Sequence, residues 1–186
     1  MRKIINSTYI TLDGAIESPH LWPDLGDSAK AVSYDIQMEL LDACDTILMG
    51  RRTYETFANA WPTRSGDRMS DRINAMQKQV LSTTLRNPTW NNTQVIGSDA
   101  VEKIRLLKSQ SGKHLVQYGL GQVSFTLLEH GLMDEIRLWI HPIILGRKGP
   151  QSSHFGNCPP AQFELVSSRT LPNGIVIVKY GCKAAA

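Results

Sequence analysis

A glycine followed by two arginines and a threonine ends the apolar run of the segment "ILMGRRTYETF", residues 47–57. Glycine lets the chain turn sharply and lets a ligand approach the backbone closely. A helix that begins at this turn offers unpaired N–H groups and the positive end of its dipole, which suit a phosphate group. Two guanidinium groups and a hydroxyl add fixed cations and a hydrogen-bond donor. The parts of a pyrophosphate site are therefore present in Gly50, Arg51, Arg52 and Thr53.

The two arginines also have a simpler interpretation, because charged side chains in the first turn of a surface helix are usually only solvated. Cations at this position oppose the helix dipole, at a cost of about 0.3–1 kcal/mol each. A bound anion would remove that conflict. This segment alone therefore leaves two interpretations of the arginines open, phosphate binding and simple solvation.

Two further strand ends carry glycine, at Gly97 and at Gly119-Leu120-Gly121. Turns of this kind lie at the carboxyl ends of strands, where open α/β sheets bind ligands. The second turn does not fit the spacing G-x-G-x-x-G, so the dinucleotide-binding fingerprint of a Rossmann fold is absent from it.

Strands and helices that position these turns can be placed from hydrophobic periodicity and turn residues. Strands are predicted over residues 3–11, 45–50, 78–83, 93–97, 113–119, 134–145, 163–171 and 174–181. Helices are predicted over about 29–43, 51–58, 67–76, 99–109 and 121–130. Alternating strands and helices followed by three strands predict an α/β fold, with a mainly parallel mixed sheet, helices on both faces and antiparallel C-terminal strands.

Two helix starts carry possible capping residues. Ser28 or Asp27 could cap the first helix, and Asp99 with Glu102 resembles a capping box at the fourth.

Length and composition are those of an ordinary globular chain, with 186 residues, 41% apolar, 20% charged and a net charge of +3. This length favours one domain, residues 1–186. The mild charge, without a Lys/Arg run, is not typical of a nucleic-acid-binding protein. No stretch approaches the roughly 18 apolar residues of a membrane span, and the N-terminal segment lacks the apolar core of a signal peptide. We therefore expect a cytoplasmic protein without a nucleic-acid or membrane partner.

Three scattered cysteines and five histidines without ligand spacing predict reduced thiols and no metal site.

Several motifs together resemble the dihydrofolate reductase-like fold, and more narrowly the C-terminal reductase domain of the riboflavin-biosynthesis deaminase-reductase. The matching segments are "TLDGAI", "ILMGRRTYETFANAWP", "KQVLSTTL", "LVQYGLGQVSFTLLEHGLMDEIRLWIHPIILGRKG" and the last two strands. The resemblance covers nearly the whole chain and implies a three-layer α/β/α domain. It also implies an NADPH-dependent reductase of a pyrimidine- or pterin-like heterocycle, and a homodimer.

The resemblance implies a role for each matching position. Arg51 would approach the 2′-phosphate of NADPH, and Arg52 and Thr53 would hold the pyrophosphate. Ser82 and Thr83 would flank the adenosine half. The pyrophosphate and nicotinamide-ribose side would be wrapped by Gly119, Leu120, Gly121 and Gln122, and the nicotinamide would lie along Ala15 and Ile16.

The acid that orients the substrate lies on the first helix in this fold, and Asp35 is the best match by position. Asp35 could also be a solvated surface residue, and Glu39 competes with it one turn later. Asp13 is interpreted as a turn residue rather than a catalytic one.

Trp22 could stack on a flat heterocycle or anchor its own loop. Trp61 and Trp139 are interpreted as core residues, and His141 as a structural histidine. The loop 150–157 differs from the family pattern, and Phe155 is the one residue of that pattern that this chain retains there.

Three functions stay open. The first is the NADPH-dependent reductase, the second a non-catalytic nucleotide-binding module that keeps the fold, and the third an interaction protein without the cofactor. The intact "MGRRT" and "STT" segments oppose the third. A homodimer would use an apolar surface on the late strands, including Trp139.

Overall fold

The computed structural model describes residues 1–146 and 158–183. Eight strands form one sheet, and they are β1 (Ile4–Thr11), β2 (Cys44–Gly50), β3 (Gln77–Leu81), β4 (Thr93–Ile96), β5 (His114–Tyr118), β6 (Glu135–His141), β7 (Phe163–Thr170) and β8 (Val176–Cys182). The helices are α1 (Lys30–Ala43), α2 (Arg51–Ala60), α3 (Arg68–Ala75), α4 (Ala100–Ser109) and α5 (Gln122–Glu129), with a 3-10 turn at Pro19–Leu21.

The strand order in the sheet is β4-β3-β2-β5-β1-β6-β8-β7. All pairs from β4 to β6 are parallel, whereas β8 runs antiparallel to both β6 and β7. The expected mixed sheet is confirmed. Because β5 returns between β2 and β1, the turns that follow β2 and β5 become neighbours at the edge where parallel strands end.

Successive strand residues point to opposite faces, and each face packs against its own helices. Ile47 contributes to a core with α1, α2 and α3, while Leu48 contributes to a core with α4 and α5. A smaller cluster joins Ile36 of α1 to Trp139 of β6 and Ile177 of β8. The helices therefore cover both faces, as predicted.

Several predicted details are wrong. Strand β6 ends at His141 rather than at residue 145, because Pro142 cannot donate to the ladder. Ala29, not Ser28 or Asp27, is the N-cap of α1, and Asp27 pairs instead with the ammonium of Lys30.

The capping box at α4 does not form. Asp99 is the N-cap, but its φ of 58° lies in the left-handed region and its side chain accepts no capping hydrogen bond. Capping side chains usually require an extended backbone at this position. The loop 150–157, including Phe155, lies outside the described residues.

No helix in the described ranges is long and apolar enough to cross a membrane.

Candidate active site

A cavity of about 960 Å³ opens at the edge of the sheet where the parallel strands end. One half is formed by the turns that follow β2, β3, β4 and β5, which we call the turn half. The other half is formed by the end of β1, by faces of α1, α2 and α3, and by Tyr118 at the end of β5, and we call it the aromatic half. This is the place at which open α/β sheets bind ligands.

Most of the sequence-predicted site residues line this cavity. They are Ile16, Gly50, Arg51, Arg52, Thr53, Ser82, Thr83, Gly97, Gly119, Leu120, Gly121 and Gln122. Segments far apart in sequence meet here because parallel strands bring their carboxyl ends to one edge.

Two helix N-termini at the turn half lack side-chain caps. Gly50 is the N-cap of α2 and Gly121 is the N-cap of α5, and neither helix has an acidic residue in its first turn. Helix α3 differs, because the Asp67 carboxylate accepts N–H groups from Met69 and Ser70. The first-turn N–H groups of α2 and α5 are thus available to an anionic ligand.

The two arginines of the turn half are held differently. Arg51 donates from Nε to Glu55 (2.6 Å) and from an Nη to the hydroxyl of Thr84 (2.9 Å). Its remaining N–H donors can meet another acceptor. Arg52 has a side chain that is 89% exposed, with an Nη 3.4 Å from a carboxylate oxygen of Glu17. Arg51 is therefore the more firmly positioned cation.

The turn after β5 is fixed by a buried polar network. The carbonyl of Gly119 accepts from Asn6 Nδ2 (2.8 Å), Gln117 Nε2 (2.9 Å) and the Ser124 hydroxyl (2.9 Å). Gly119 has a φ of +87°, and a Cβ there would lie 3.2 Å from Thr53 Oγ1. This close approach joins the turn to the start of α2. Sequence reasoning missed the network, although polar residues inside the apolar patterns of β1 and β5 were a signal for it.

Ser82 shapes the loop after β3. Its hydroxyl accepts the backbone N–H groups of Thr84 (3.1 Å) and Leu85 (2.9 Å). The side chain therefore holds the loop against the cavity, next to Thr83.

Three predicted residues are not among the lining of the cavity. Ala15 lies one residue before the lining segment, and its N–H donates to Thr11 Oγ1. Trp22 donates from its indole to the Glu17 carbonyl (3.0 Å) and packs edge-on against His141, with ring centroids 5.2 Å apart. This geometry favours the loop-anchor interpretation of Trp22.

The third is Asp35, which is exposed on the outer side of α1. Gln37 lines the cavity instead. Two positions along a helix correspond to about 200° of rotation, so the two side chains point in nearly opposite directions. Glu39 is exposed and borders a separate groove with β7 and β8.

The aromatic half contains residues that sequence reasoning did not assign to the site. Tyr9, Phe57 and Tyr118 line it, and so does Trp61, which was expected in the core. Phe57 contacts Trp61 and Tyr118, with ring centroids at 6.2 and 5.3 Å. The sequence held one signal for a site residue here, because Tyr118 directly precedes the Gly119 turn.

Burial raises the pKa of both phenols, Tyr9 and Tyr118, above the usual range. Desolvation disfavours their charged form, so both stay neutral at physiological pH. Burial also lowers the pKa of His141, whose Nδ1 lies 2.9 Å from the Trp139 carbonyl oxygen. His141 is a packed strand residue, in agreement with its structural interpretation.

The turn half has the chemistry that a ligand with phosphate groups requires. It combines two uncapped helix starts, two cations and hydroxyls around the Gly119 turn, where an added Cβ would crowd Thr53. In the described part of the chain, no group of three His, Cys, Asp or Glu side chains could hold a metal ion.

Comparison with protein families gives one match over nearly the whole chain. The sequence model of the RibD C-terminal domain matches residues 2–177. Among curated proteins, the uncharacterized protein YyaP of Bacillus subtilis is 28% identical over 96% of this chain and 94% of its own length.

Solved structures share the fold. A pyrimidine reductase-like protein from Corynebacterium diphtheriae superposes with a TM-score of 0.69 at 14% identity, covering 99% of this chain and 93% of that chain. RibD from Acinetobacter baumannii superposes with a TM-score of 0.63 at 17% identity, over 99% of this chain and 59% of its own. The dihydrofolate reductase-like, RibD-like architecture expected from the sequence is confirmed.

Proposed function

The chain belongs to the RibD C-terminal domain family, and from this premise we propose that it is an NADPH-dependent reductase of a small pyrimidine- or pterin-like heterocycle. The observation that carries the proposal is the turn half, where two uncapped helix starts and two arginines meet at one edge of the sheet. Such an arrangement compensates a polyanion and leaves the rest of the cavity for a second ligand.

The cofactor would be held by groups that the site already presents. The N–H groups at the starts of α2 and α5 would bind the pyrophosphate, with Thr53 and Arg52 beside it. Arg51 would pair with the 2′-phosphate that distinguishes NADPH from NADH. When bound, the reduced nicotinamide supplies a hydride.

The chain's own residues then position the second ligand. The buried network below Gly119 fixes the turn between the two halves, so that a ring in the aromatic half would face the glycine turn. The neutral phenols can donate hydrogen bonds to a carbonyl or ring nitrogen as it gains electron density.

Titration with each dinucleotide tests the proposal. NADPH should quench or shift the intrinsic tryptophan fluorescence, because Trp61 lines the cavity, and NADH should bind at least tenfold more weakly. Equal affinity for the two dinucleotides, or no binding of either, would contradict the proposal.

A second candidate is a nucleotide-binding protein without turnover. The observation in its favour is that Asp35, the expected acid, is exposed and does not line the cavity. Both candidates require NADPH binding, so oxidation of NADPH in the presence of a heterocycle separates them. Turnover supports only the reductase.

We also propose a homodimer, formed by the exposed face of β7 and β8. Trp139 cannot contribute to it, because this side chain is only 2% exposed and packs against the cluster below α1. Phe163 (37% exposed) and Leu165 (55% exposed) offer the apolar surface instead.

A further inference from the structure

A second cavity, of about 280 Å³, lies between α1 and the last two strands, and we call it the α1–β7 groove. Its lining residues come from α1, β7 and β8, and none of them lines the larger cavity. Two of them, Ile36 and Ile177, are buried in the cluster that joins α1 to β8. The groove therefore has an apolar base, and the rest of its lining is polar or charged.

The pairing of β7 with β8 brings two cations to this groove. Ser167 lies opposite Lys179, and Arg169 lies opposite Ile177. Because alternate residues of a strand share one face, Lys179 and Arg169 are diagonal neighbours on the face that packs against α1. From α1, the carboxylate of Glu39 borders the same groove. Two cations and one carboxylate therefore share a small space.

A register shift in β7 separates the groove from the apolar face proposed for the homodimer. Leu165 lies opposite Tyr180, whereas Ser167 lies opposite Lys179, and the shift falls between them. Tyr180 and Lys179 are consecutive residues of β8, so they point to opposite faces of the sheet. The groove and the proposed dimer face thus lie on opposite sides of the sheet.

The three charged side chains of the groove do not pair with one another. Arg169 is the one arginine within residues 1–146 and 158–183 whose guanidinium makes no hydrogen bond, ion pair or ring contact. In the same ranges, the Lys179 ammonium and the Glu39 carboxylate form no ion pair. Opposite charges that border one groove without contact leave space between them for a ligand that carries both complementary charges.

These groups match an apolar α-amino acid in its zwitterionic form. A guanidinium and an ammonium on neighbouring strands suit its carboxylate, and the hydroxyls of Ser167 and Ser168 add two donors. The Glu39 carboxylate suits its ammonium group. Its side chain would cover the apolar surface of Ile36 and Ile177. A phosphate dianion fits less well, because it would face the Glu39 carboxylate without a cationic group of its own.

We propose that the α1–β7 groove is a binding site for an apolar α-amino acid, whose carboxylate lies on Arg169 and Lys179 and whose ammonium group lies on Glu39. The groove shares no residue with the larger cavity. The proposal therefore does not depend on the reductase function.

Titration of the full chain with matched small molecules tests the ligand class. Leucine, isoleucine, valine and methionine are titrated by calorimetry, and at least one should bind with a dissociation constant of about 1 mM or less. The N-acetyl derivative of that amino acid lacks the ammonium group, the corresponding amine lacks the carboxylate, and glycine lacks the apolar side chain. Each of these three compounds should bind at least tenfold more weakly.

Arg169→Gln and Glu39→Gln test the position of the site. Each substitution removes one charge from the groove and should weaken binding of the amino acid at least tenfold. Arg105→Gln is the matched control, because Arg105 lies on α4 and does not line the groove, and it should leave the affinity within twofold of the parent value. Thermal unfolding without ligand, at the temperature of the parent, shows that each variant is folded.

Three results would overturn the proposal. Absence of binding of all four apolar amino acids would exclude the ligand class. Binding of the N-acetyl derivative or of inorganic phosphate as tightly as the amino acid would mean that the chain selects an anion alone. An affinity that is unchanged in both Arg169→Gln and Glu39→Gln would place the amino acid outside the α1–β7 groove.

Discussion

The guanidinium of Arg51 is the single group on which cofactor choice should depend. Glu55 and Thr84 hold it at the start of α2, and its remaining N–H donors have no other hydrogen-bond partner within residues 1–146 and 158–183. Charge-assisted hydrogen bonds contribute about 1.5–3 kcal/mol. Arg51→Gln should therefore raise the dissociation constant for NADPH roughly 10- to 100-fold and leave that for NADH nearly unchanged, as measured by fluorescence titration.

Arg68→Gln is the matched control for this substitution. Arg68 pairs with Asp42 (2.5 Å) at the start of α3 and does not line the cavity. Its replacement should change neither affinity. A parallel loss of NADPH and NADH binding in Arg51→Gln would contradict a role at the 2′-phosphate.

Lys78 is a buried lysine whose ammonium lies 4.3 Å from the centroid of the Trp90 ring and donates to the Asn74 carbonyl (2.5 Å). Burial lowers its pKa from 10.5 to about 8. Between these two values the unfolded chain binds a proton that the folded chain does not, so the free energy of unfolding should rise as the pH increases from about 8 to 10.5.

Replacement of Lys78 by methionine should remove that rise, because the variant has no group at this position that titrates between pH 8 and 10.5. Urea unfolding at pH 7 and pH 10 measures the free energy of unfolding on both sides of the rise. Lys103→Met is the control, because Lys103 lies on the exposed side of α4, and it should keep the pH dependence of the parent. If the two variants showed the same pH dependence, Lys78 would not be the group that causes the rise.

The β5–α5 turn is the element that joins the two halves of the cavity. Gly119 has a φ of +87°, and an added Cβ would lie 3.2 Å from Thr53 Oγ1. Gly119→Ala should lower the free energy of unfolding by about 1–2 kcal/mol through backbone strain. It should also weaken NADPH binding at least tenfold, because the turn and the start of α2 must move apart.

Gly26→Ala separates strain from site geometry. Gly26 has a similar φ of +75°, but a Cβ there meets no atom within 4 Å. Thermal unfolding should show a comparable loss of stability in both variants, with NADPH affinity reduced only in Gly119→Ala. Equal NADPH affinities of Gly119→Ala and Gly26→Ala would mean that the β5–α5 turn does not contact the cofactor.

The sequence predicted elements well where one local rule sets the structure. Periodicity and glycine at strand ends placed the β2–α2 and β5–α5 turns, because these signals act within a few residues. Two local details were missed. The Asp99 cap depends on a backbone angle that its loop imposes, and β6 stops before Pro142 although the apolar alternation continues.

Only half of the cavity was predicted, because motifs reveal residues that are close together in sequence. The turn half is made of contiguous motifs, so "MGRRT" and "YGLGQ" revealed it. The aromatic half takes single residues from β1, α1, α2 and β5, and no motif connects Tyr9 with Gln37. Asp35 was chosen by position on a helix, whereas the rotation of α1 about its axis is set by packing against the sheet.

At the scale of the whole molecule, helices cover the parallel part of the sheet and leave its antiparallel end partly bare. All eight residues of β7 are exposed, and Leu165 pairs with Tyr180 across β7 and β8. Phe163 and Tyr180 are in ring contact at 6.3 Å, so apolar side chains of both strands share one face. Such a face on an edge strand favours contact with a second copy, and a two-fold axis would bury it in both subunits.

The homodimer proposal predicts the effect of a charge placed on this face. Leu165→Glu should raise the dimer dissociation constant at least 100-fold, because the carboxylate would lose hydration against an apolar partner surface. Leu106→Glu is the control, since Leu106 is similarly exposed (61% against 55%) but lies on α4. Sedimentation velocity at micromolar concentration should show a dimer for the parent and Leu106→Glu and a monomer for Leu165→Glu. A monomeric parent, or a dimeric Leu165→Glu, would refute this interface.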